Sequence, residues 1–506
     1  MDDASAIRTG GSEARTDRRS LLILLIAAAS LRLYRLGDDS LWFDEIVSER
    51  RATLPLRDAY DLLREGTHPP GYSQAILRPW LTLGSGEWML RFPSVVLGVA
   101  TVAMTAMLGT RLAGRRAGLA AAALLTVMPM HVYYSREGRM YTLFSLVLLA
   151  WVVALIRARE RNTLGSWTTY TVLGAAALYT HYYAGFTVLA VVGTTAVFEL
   201  RRGVTTRTRR WLIATVAIGV LFAPWLPTFR YQLGNNPVSH LRSSNIGDWT
   251  RLPVEFFTGF VDYPLIATNM DEFLRYTVNV TVILVSLAVL LLFGSRHVRA
   301  VADRAPEAAY AGAVVGAALF GTLVLAFVAS QLRPLLYVRY FVGILPFLAI
   351  LIGAALARMR PVSVIAFGAL FALSVLHTAL AVDETWRPAF RNATDQIEQD
   401  QPDDVIVVLV DFNFSDVRFF GLRYYLDEAY QTVEYDGSIR NGEFAAFLDD
   451  LETSALRTWV LQAGTAPADV DTPPGFVTSV QAQHGSRFLF LGPFTIQVTA
   501  LDREDR

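Results

Sequence analysis

The sequence predicts a polytopic α-helical membrane protein with about eleven transmembrane helices and a C-terminal extracytoplasmic α/β domain. Three observations support this fold class. The chain has 506 residues, of which 53% are hydrophobic, and its mean hydropathy of +0.36 is too high for a soluble globular protein. Apolar runs recur from Ser20 to Ala381. The composition beyond residue 381 is that of a soluble domain.

The charge and cysteine content exclude several functional classes. The formal net charge is +0, so no global basic field indicates nucleic-acid binding. The chain has no cysteine, which excludes disulfides, thiolate catalysis and zinc-thiolate sites. All 45 basic residues are arginine. Any phosphate held by a cationic side chain is therefore most readily held by a planar guanidinium group.

Predicted spans are runs long enough to cross a hydrocarbon core of about 30 Å. They lie near residues 20–36, 90–110, 117–134, 140–156, 167–183, 184–200, 211–227, 276–293, 309–330, 340–357 and 361–381. Arginine clusters occur before the first span and in every second loop after it, which predicts a multi-pass cell-membrane protein with a cytoplasmic N-terminus. These clusters contain Arg15, Arg18, Arg19, Arg111, Arg115, Arg116, Arg157, Arg159, Arg161, Arg201, Arg202, Arg207, Arg209, Arg210, Arg296, Arg299 and Arg304.

The N-terminal stretch "RRSLLILLIAAAS" has a second interpretation as a cleaved signal peptide. Under either interpretation the loop that follows is extracytoplasmic. The long outer segments are then 37–89, about 228–275, and everything after 381. We therefore divide the chain into a transmembrane domain, 1–381, which includes the extracytoplasmic loop 37–89, and an extracytoplasmic α/β domain, 382–506.

In the C-terminal domain, "DDVIVVLVDF" and "RTWVLQAG" are predicted to be buried strands. "RPAFRNATDQIEQD" and "SDVRFFGLRYYLDEAY" are predicted helices, and "SRFLFLGPFTIQVTAL" is a closing strand or hairpin. Strands that alternate with helices in this way indicate a small α/β domain.

Several polar clusters converge on the predicted outer face. Charged groups are costly at membrane depth, so such clusters require an explanation. They are Asp44 and Glu45 in "LWFDEIVSE", "THPPGY" at 67–72, "YYSREGRMY" at 133–141, "YTHYY" at 179–183 and "RPLLYVRY" at 333–340.

Each cluster also has a purely structural interpretation. The acidic pair suits a helix cap, and His68 with its two prolines suits a rigid turn. Arg136, Glu137 and Arg139 suit an interhelical ion pair, His181 an aromatic belt, and Arg339 a membrane anchor. Their shared location on one face is the more informative observation.

Taken together, these residues combine carboxylates able to act as a base with arginines able to bind phosphate. Neither a Walker A pattern nor a Rossmann fingerprint is present between a strand and a helix. A donor activated by phosphate but delivered through the lipid phase, such as a lipid-linked sugar phosphate, fits this chemistry.

The order of these motifs resembles the GT-C superfamily, and within it glycosyltransferase family 39, the relatives of protein O-mannosyltransferases and lipid A aminoarabinose transferases. The resemblance rests on "LWFDE", "THPPGY", "YYSREGRMYTL" and "RYFVGILPFLAIL" in that order, and on "ETWRPAFRNATDQIEQDQPDDVIVV". It runs from about residue 20 to residue 410. It implies a GT-C type fold and inverting transfer of a sugar from a polyprenyl-phosphate donor to an extracytoplasmic acceptor hydroxyl.

The resemblance also implies site residues. The family's catalytic base falls on Asp44, with Glu45 as its neighbour. The family's Arg/Gln-Glu-Ala-Arg pattern falls on 136–139, where Gly138 replaces alanine, and "THPPGY" has glycine where a bulky apolar residue is commoner. The full set of predicted substrate-binding residues is His68, Arg136, Glu137, Arg139, Tyr141, His181, Tyr182, Arg339 and Tyr340.

The chemistry of the residues agrees with these roles. A base removes the acceptor proton while the lipid phosphate leaves from the opposite face, and Arg136, Arg139 and Arg339 are candidates to neutralise that phosphate. No cofactor is required. A divalent metal held by Asp44, Glu137 and His68 is a possible addition.

Two other functions remain open at this stage. One is a transporter or flippase of anionic glycolipids, although transporters place charges near the bilayer midplane. The other is a non-catalytic glycolipid-binding protein. Mannose, glucose and aminoarabinose are all compatible with the sequence, as are lipid, glycan and protein acceptors.

Overall fold

The computed structural model describes residues 3–201, 203–235, 246–259, 270–303, 306–383, 390–400, 405–410, 424–426, 429–435, 444, 446–448, 457–464, 476–488 and 492–503. The chain divides into two compact units. The first contains Met1–Leu36 and Glu49–Val382, and the second contains Gly37–Ser48 and Asp383–Arg506. Residues 37–48 thus group with the C-terminal residues, whereas the sequence-based division assigned the whole loop 37–89 to the transmembrane domain.

The chain is mostly helical. Up to residue 200 the helices are α1 (Asp3–Leu33), α2 (Phe43–Thr53), α3 (Leu56–Arg64), α4 (Arg78–Trp80), α5 (Glu87–Ala113), α6 (Arg115–Val127), α7 (Pro129–Tyr134), α8 (Tyr141–Arg161), α9 (Leu164–Thr180) and α10 (Ala184–Leu200). They are followed by α11 (Thr206–Phe222), α12 (Leu226–Asn235), α13 (Ile246–Thr258), α14 (Met270–Ala302), α15 (Pro306–Gly316), α16 (Thr322–Ser330), α17 (Leu345–Ala354) and α18 (Pro361–Asp383). Short π-helical stretches occur at Ser73–Leu77 and Ala317–Gly321, and 3-10 stretches at Leu81–Leu83, Ala223–Trp225 and Val338–Ile344.

Among the described residues, six helices are long and apolar enough to cross a bilayer. They are Glu87–Ala113, Tyr141–Arg161, Thr206–Asn235, Thr277–Ala300, Pro306–Ser330 and Pro361–Val382, with shorter apolar helices at Ala184–Leu200 and Val338–Ala354. The chain is therefore an integral membrane protein of mostly helical fold. The count of about eleven spans and the cytoplasmic N-terminus stay predictions.

Two breaks in the helices have local causes. The predicted span 117–134 is divided at Met128, which is extended (φ −69°, ψ 114°) because the ring of the following Pro129 disfavours the helical conformation. The predicted division between 167–183 and 184–200 also falls at a break, since α9 ends at Thr180 and His181 is extended (φ −157°, ψ 135°). Both breaks lie beside motifs singled out in the sequence.

The second unit contains a five-stranded sheet with strand order β2-β1-β3-β5-β4. The strands are β1 (Val405–Val410), β2 (Gln431–Tyr435), β3 (Arg457–Gly464), β4 (Phe476–Phe488) and β5 (Gly492–Arg503). β1 is parallel to β2 and β3, whereas β5 is antiparallel to β3 and β4. The strands predicted from "DDVIVVLVDF" and "RTWVLQAG" are present as β1 and β3, and the predicted hairpin lies within β4 and β5.

One face of this sheet packs against α19 (Phe390–Ile397), whose buried side chains Phe390, Ala393 and Ile397 meet Trp459 and Val498. Most of the predicted helix "SDVRFFGLRYYLDEAY" lies outside the described residues. The alternation of apolar residues along β3 and β5 places one set against α19, as expected for a half-buried strand. The predicted extracytoplasmic location of this domain stays a prediction.

Candidate functional site in the first unit

The "THPPGY" segment lies against the end of α9. A Cβ atom at Gly71 would lie 2.5 Å from the carbonyl oxygen of Tyr179, a distance that real side chains do not adopt. Glycine at this position therefore allows the loop to approach the backbone of α9. The approach brings the loop's His68, which is 6% exposed, beside the "YTHYY" motif.

The "YYSREGRMY" segment forms the turn between α7 and α8. A Cβ atom at Gly138 would lie 2.6 Å from Cγ of Leu90, which explains why this chain has glycine where the related pattern has alanine. The hydroxyl of Ser94 donates to the carbonyl oxygen of Arg139 at 3.2 Å and lies 2.7 Å from the hydroxyl of Tyr72. Ser94 on α5 thus joins this turn to the "THPPGY" loop.

The two arginines of this turn have different surroundings. A guanidinium nitrogen of Arg136 donates to the carbonyl oxygen of Tyr34 at 2.8 Å, at the end of α1. Arg139 is 3% exposed and acts electrostatically on both His68 and His181. Glu137, between them, is fully buried. Arg139 is therefore the arginine of this motif that faces the two histidines.

His181 lies at the centre of a group of aromatic rings. Its ring centroid is 5.5 Å from that of His68, 4.9 Å from Tyr340, 4.8 Å from Phe144 and 6.0 Å from Tyr141. The backbone N–H of Tyr183 donates to Nδ1 of His181 at 3.1 Å, so the neutral ring has its proton on Nε2. Among the described residues Nε2 has no hydrogen-bond partner, although the side chain is only 2% exposed. This N–H is a buried donor available to an oxygen of a ligand.

Arg339 and Tyr340 lie on the 3-10 stretch before α17. The ring of Tyr340 contacts His68 and His181, with centroids 6.0 and 4.9 Å apart. The guanidinium carbon of Arg339 lies 4.2 Å from the centroid of Tyr337, in a cation–π arrangement. Arg339 is 9% exposed and acts electrostatically on both histidines.

Tyr182 differs from its neighbours in the "YTHYY" motif. Its hydroxyl donates to the side-chain oxygen of Gln232 and accepts from the indole N–H of Trp225 at 2.8 Å. Gln232 in turn donates to the carbonyl oxygen of Leu63 at 2.6 Å. These bonds connect Tyr182 and α12 to the last turn of α3, so the described contacts of Tyr182 are with the protein scaffold.

Arg51 is a buried cation that the sequence analysis did not select. It is 6% exposed and is one of the charges that act on His68. The sequence gives little indication that Arg51 is buried, because it occurs in "SERRATL" among charged residues typical of a solvated helix face. We call the set His68, Arg51, Arg139, His181 and Arg339 the cationic cluster.

Burial and the charges of the cationic cluster keep His68 neutral, and these charges favour a bound anion. The pKa of His68 is lowered well below its ordinary value of 6.5, first by burial and then by Arg139, His181, Arg51 and Arg339. His68 is therefore neutral at physiological pH, while the arginines keep their charge. Arginines concentrated in this way attract anions, and a phosphate suits their planar forks.

The acidic pair lies in the second unit, at the start of α2. Glu45 is fully buried, and its Oε2 accepts the backbone N–H of Trp42 at 3.4 Å. A glutamate three residues after the cap position reaches back in this way in a capping box. Asp44 is half-buried, and its carbonyl oxygen accepts the hydroxyl of Ser48 at 2.8 Å. The capping interpretation thus fits the carboxylate of Glu45.

No group of three or more His, Asp or Glu side chains that could hold a metal ion occurs among the described residues. The set Asp44, Glu137 and His68 considered from the sequence is divided between the two units. We therefore assign no step to a metal, and metal dependence stays a prediction.

The chain resembles known proteins in sequence and in fold. Residues 67–227 match the family model described as dolichyl-phosphate-mannose-protein mannosyltransferase, a range that includes His68, Arg139 and His181. No curated protein sequence matches the chain at a significant level.

Several solved structures are similar in fold. Apo ArnT from Cupriavidus metallidurans is 14% identical, with a TM-score of 0.51 over 94% of this chain and 97% of that chain. ArnT bound to undecaprenyl phosphate is 16% identical, with a TM-score of 0.49 over the same shares. An oligosaccharyltransferase from Archaeoglobus fulgidus, in complex with zinc and sulfate, is 11% identical, with a TM-score of 0.50 over 87% of this chain and 67% of that chain. The family match and the shared fold confirm the resemblance of this chain to the GT-C superfamily and, within it, to glycosyltransferase family 39.

Proposed function

We propose that this protein is an inverting membrane glycosyltransferase that moves a sugar from a polyprenyl-phosphate donor to an extracytoplasmic acceptor hydroxyl. The observation that supports it most is the cationic cluster, in which three buried arginines surround a neutral histidine at the end of apolar helices. Three of its five residues, His68, Arg139 and His181, lie within the range that matches the mannosyltransferase family model.

The donor phosphate is assigned to the cationic cluster. Arg139 and Arg339 both act electrostatically on the two histidines, and Nε2 of His181 adds a buried N–H donor. Hydrogen bonds between charged groups and phosphate oxygens are stronger than neutral ones. A lipid phosphate also arrives through the bilayer, so apolar helices around the cluster suit it.

Asp44 is assigned as the general base. A carboxylate within hydrogen-bond reach of a sugar or protein hydroxyl contributes roughly 10² to 10⁴ in rate. The capping bond of Glu45 supports this choice between the two acids, because the carboxylate of Glu45 already accepts the N–H of Trp42. Glu45 then acts as a neighbour that fixes the first turn of α2.

The proposed reaction is a single displacement. The acceptor oxygen forms a bond to the anomeric carbon of the sugar while its proton passes to the carboxylate of Asp44. The bond between the anomeric carbon and the phosphate oxygen breaks, and the electron pair leaves with the polyprenyl phosphate. Arg139 and Arg339 stabilise the negative charge that increases on this phosphate. The sugar carbon is inverted once.

The acceptor is assigned to the predicted outer side of the chain. The C-terminal α/β domain and the segment 37–48 form one unit, so the residue assigned as base belongs to the same unit as that domain. We propose that the domain takes part in the choice of acceptor.

Binding of undecaprenyl phosphate to purified protein in nanodiscs tests the donor site. Replacing Arg339 by glutamine, which keeps much of the side-chain volume, is expected to weaken binding about 10- to 100-fold, the range for losing a hydrogen bond to a charged group. Arg139→Gln is expected to act similarly. The matched control is Arg230→Gln, an exposed arginine on α12, which should leave the affinity unchanged.

Transfer is measured on the same samples as release of polyprenyl phosphate from polyprenyl-phosphate mannose, glucose and aminoarabinose. Unchanged lipid-phosphate affinity in both cluster variants would show that the phosphate binds elsewhere. Movement of an intact glycolipid across the bilayer with no release of polyprenyl phosphate would favour the transporter function.

A further inference from the structure

A second group of arginines surrounds a pocket at the other end of the helices. The pocket is lined by Phe293, Arg296 and His297 of α14, and by Arg358 and Arg360 between α17 and α18, with two alanines of α17 and the turn after it. We call it the basic pocket. No aspartate or glutamate lines it among the residues that the structure describes.

Close helix packing forms one side of the basic pocket. A Cβ atom at Gly294 would collide with the carbonyl oxygen of Leu351, so glycine lets α14 approach the backbone of α17. Arg296 and His297 follow within one turn of this crossing. The crossing therefore fixes where these two cationic side chains emerge.

A strained turn forms the other side. Met359 has φ 47°, in the left-handed region that non-glycine residues rarely adopt. Such conformations are energetically costly and persist where the surrounding structure requires them. This turn places Arg358 and Arg360, on either side of Met359, at the same pocket.

The arginines are arranged around one aromatic ring. The guanidinium carbons of Arg296 and Arg360 lie 5.9 and 5.2 Å from the centroid of Phe293. Cation–π contacts at these distances orient planar guanidinium groups while leaving their N–H donors available. The result is a positively charged pocket with one apolar wall.

The position of the pocket indicates the source of its ligand. The 3-10 stretch Val338–Ile344 has 7 residues and α17 has 10, which together span about 30 Å. That length matches the thickness of the hydrocarbon core. Since Arg339 of the cationic cluster lies at one end of this stretch, the basic pocket lies at the opposite membrane boundary, at the depth of lipid phosphates.

Two further observations agree with a position of the pocket at the depth of lipid phosphates. A Cβ atom at Gly353 would meet the carbonyl oxygen of Ala117, so the pocket lies beside the arginine-rich start of α6. Met359 is 49% exposed, which suits a side chain directed toward lipid at the edge of the bilayer.

We propose that the basic pocket binds the phosphate of an anionic phospholipid in the leaflet opposite the cationic cluster. The guanidinium groups of Arg296, Arg358 and Arg360 bind the phosphate oxygens, and Phe293 contacts the apolar part of the lipid next to the headgroup. This site is separate from the proposed transfer reaction and does not depend on it.

The test uses the full-length protein in nanodiscs that contain phosphatidylcholine with or without phosphatidylglycerol, and native mass spectrometry counts retained lipids. The wild type is expected to retain phosphatidylglycerol in preference to phosphatidylcholine. Arg358→Gln/Arg360→Gln is expected to reduce this retention about tenfold, because each arginine near a charged membrane surface contributes appreciably. Arg296→Gln is a second variant, expected to act in the same direction.

The control is Arg201→Gln/Arg209→Gln, which removes two exposed arginines in a predicted cytoplasmic segment away from the pocket. Equal loss of retention in the control and the pocket variants would overturn the proposal, since general surface charge would then explain the binding. Equal retention of the two lipids by the wild type would also overturn it. Displacement of the lipid by a few millimolar inorganic phosphate would reassign the pocket to free phosphate.

Discussion

A guanidinium nitrogen of Arg391 donates to the carbonyl oxygen of Asp38 at 2.6 Å. The backbone N–H of the same arginine donates to the hydroxyl of Ser40 at 3.0 Å. The backbone N–H of Leu41 donates to the hydroxyl of Tyr425. Arg391 of α19 and Tyr425, both in the C-terminal domain, therefore fix the position of the segment that leads into Asp44.

This arrangement predicts that Arg391 positions the acidic segment. Arg391→Gln is expected to lower kcat for transfer by about tenfold, since small displacements of a catalytic group are costly, while the affinity for undecaprenyl phosphate stays the same. Asp395→Asn, an exposed change on the same helix, is the control. A fall in donor affinity that matches the fall in kcat would indicate a general structural defect instead.

The glycine of "THPPGY" is expected to be sensitive to a single methyl group. Gly71→Ala would force the loop away from Tyr179 and destabilise the protein by about 1–3 kcal/mol, the usual range for overpacking. Gly193→Ala on α10 has open space around it and is expected to be neutral or slightly stabilising. Thermal unfolding of both variants in detergent measures the difference. Equal melting temperatures would contradict the close approach.

The lowered pKa of His68 predicts how stability depends on pH. Below about pH 6.5 an unfolded chain protonates this histidine, whereas the folded protein, with its buried cationic surroundings, does not. The contribution of neutral His68 to the free energy of unfolding is thus complete above pH 6.5. It falls as the pH decreases, by at most about 1.4 kcal/mol per pH unit. His68→Gln, which cannot titrate, is expected to flatten the melting temperature between pH 7 and pH 5. Parallel curves for the two proteins would contradict this account.

Metal removal is expected to leave transfer unchanged, because arginines can neutralise a leaving lipid phosphate without a divalent ion. The measurement is the initial transfer rate before and after dialysis against EDTA, with magnesium and manganese added back. A loss that either metal restores would show that a divalent ion takes part.

Local signals predicted much of the fold. The apolar runs and the strands β1 and β3 follow from hydropathy and turn residues. The division predicted between residues 183 and 184 lies within a few positions of the observed break at His181. The break at Met128 was not predicted, since the apolar run continues through Pro129 and only the backbone restriction before proline interrupts it.

The site was harder to predict because it depends on distant residues. His68 and His181 are 113 positions apart in the sequence, yet their rings are 5.5 Å apart. The sequence groups Arg136 with Arg139 as phosphate ligands, and this stays a prediction. In the fold Arg136 also donates to Tyr34, while Arg139 acts on the histidines. Arg51 was missed for the same reason, since only tertiary packing distinguishes a buried arginine from a solvated one.

Asp44 is proposed above as the base of the glycosyl transfer. Asp44→Asn preserves size and capping ability, and is therefore expected to keep donor affinity while losing nearly all transfer, by roughly 10² or more in rate. Glu45→Gln is expected to be milder, because the amide oxygen still accepts the N–H of Trp42. The deciding measurement is the initial rate of polyprenyl-phosphate release by Asp44→Asn in nanodiscs, beside its affinity for undecaprenyl phosphate. Near-zero release with wild-type affinity is the predicted result, and wild-type turnover would show that Asp44 is not the base.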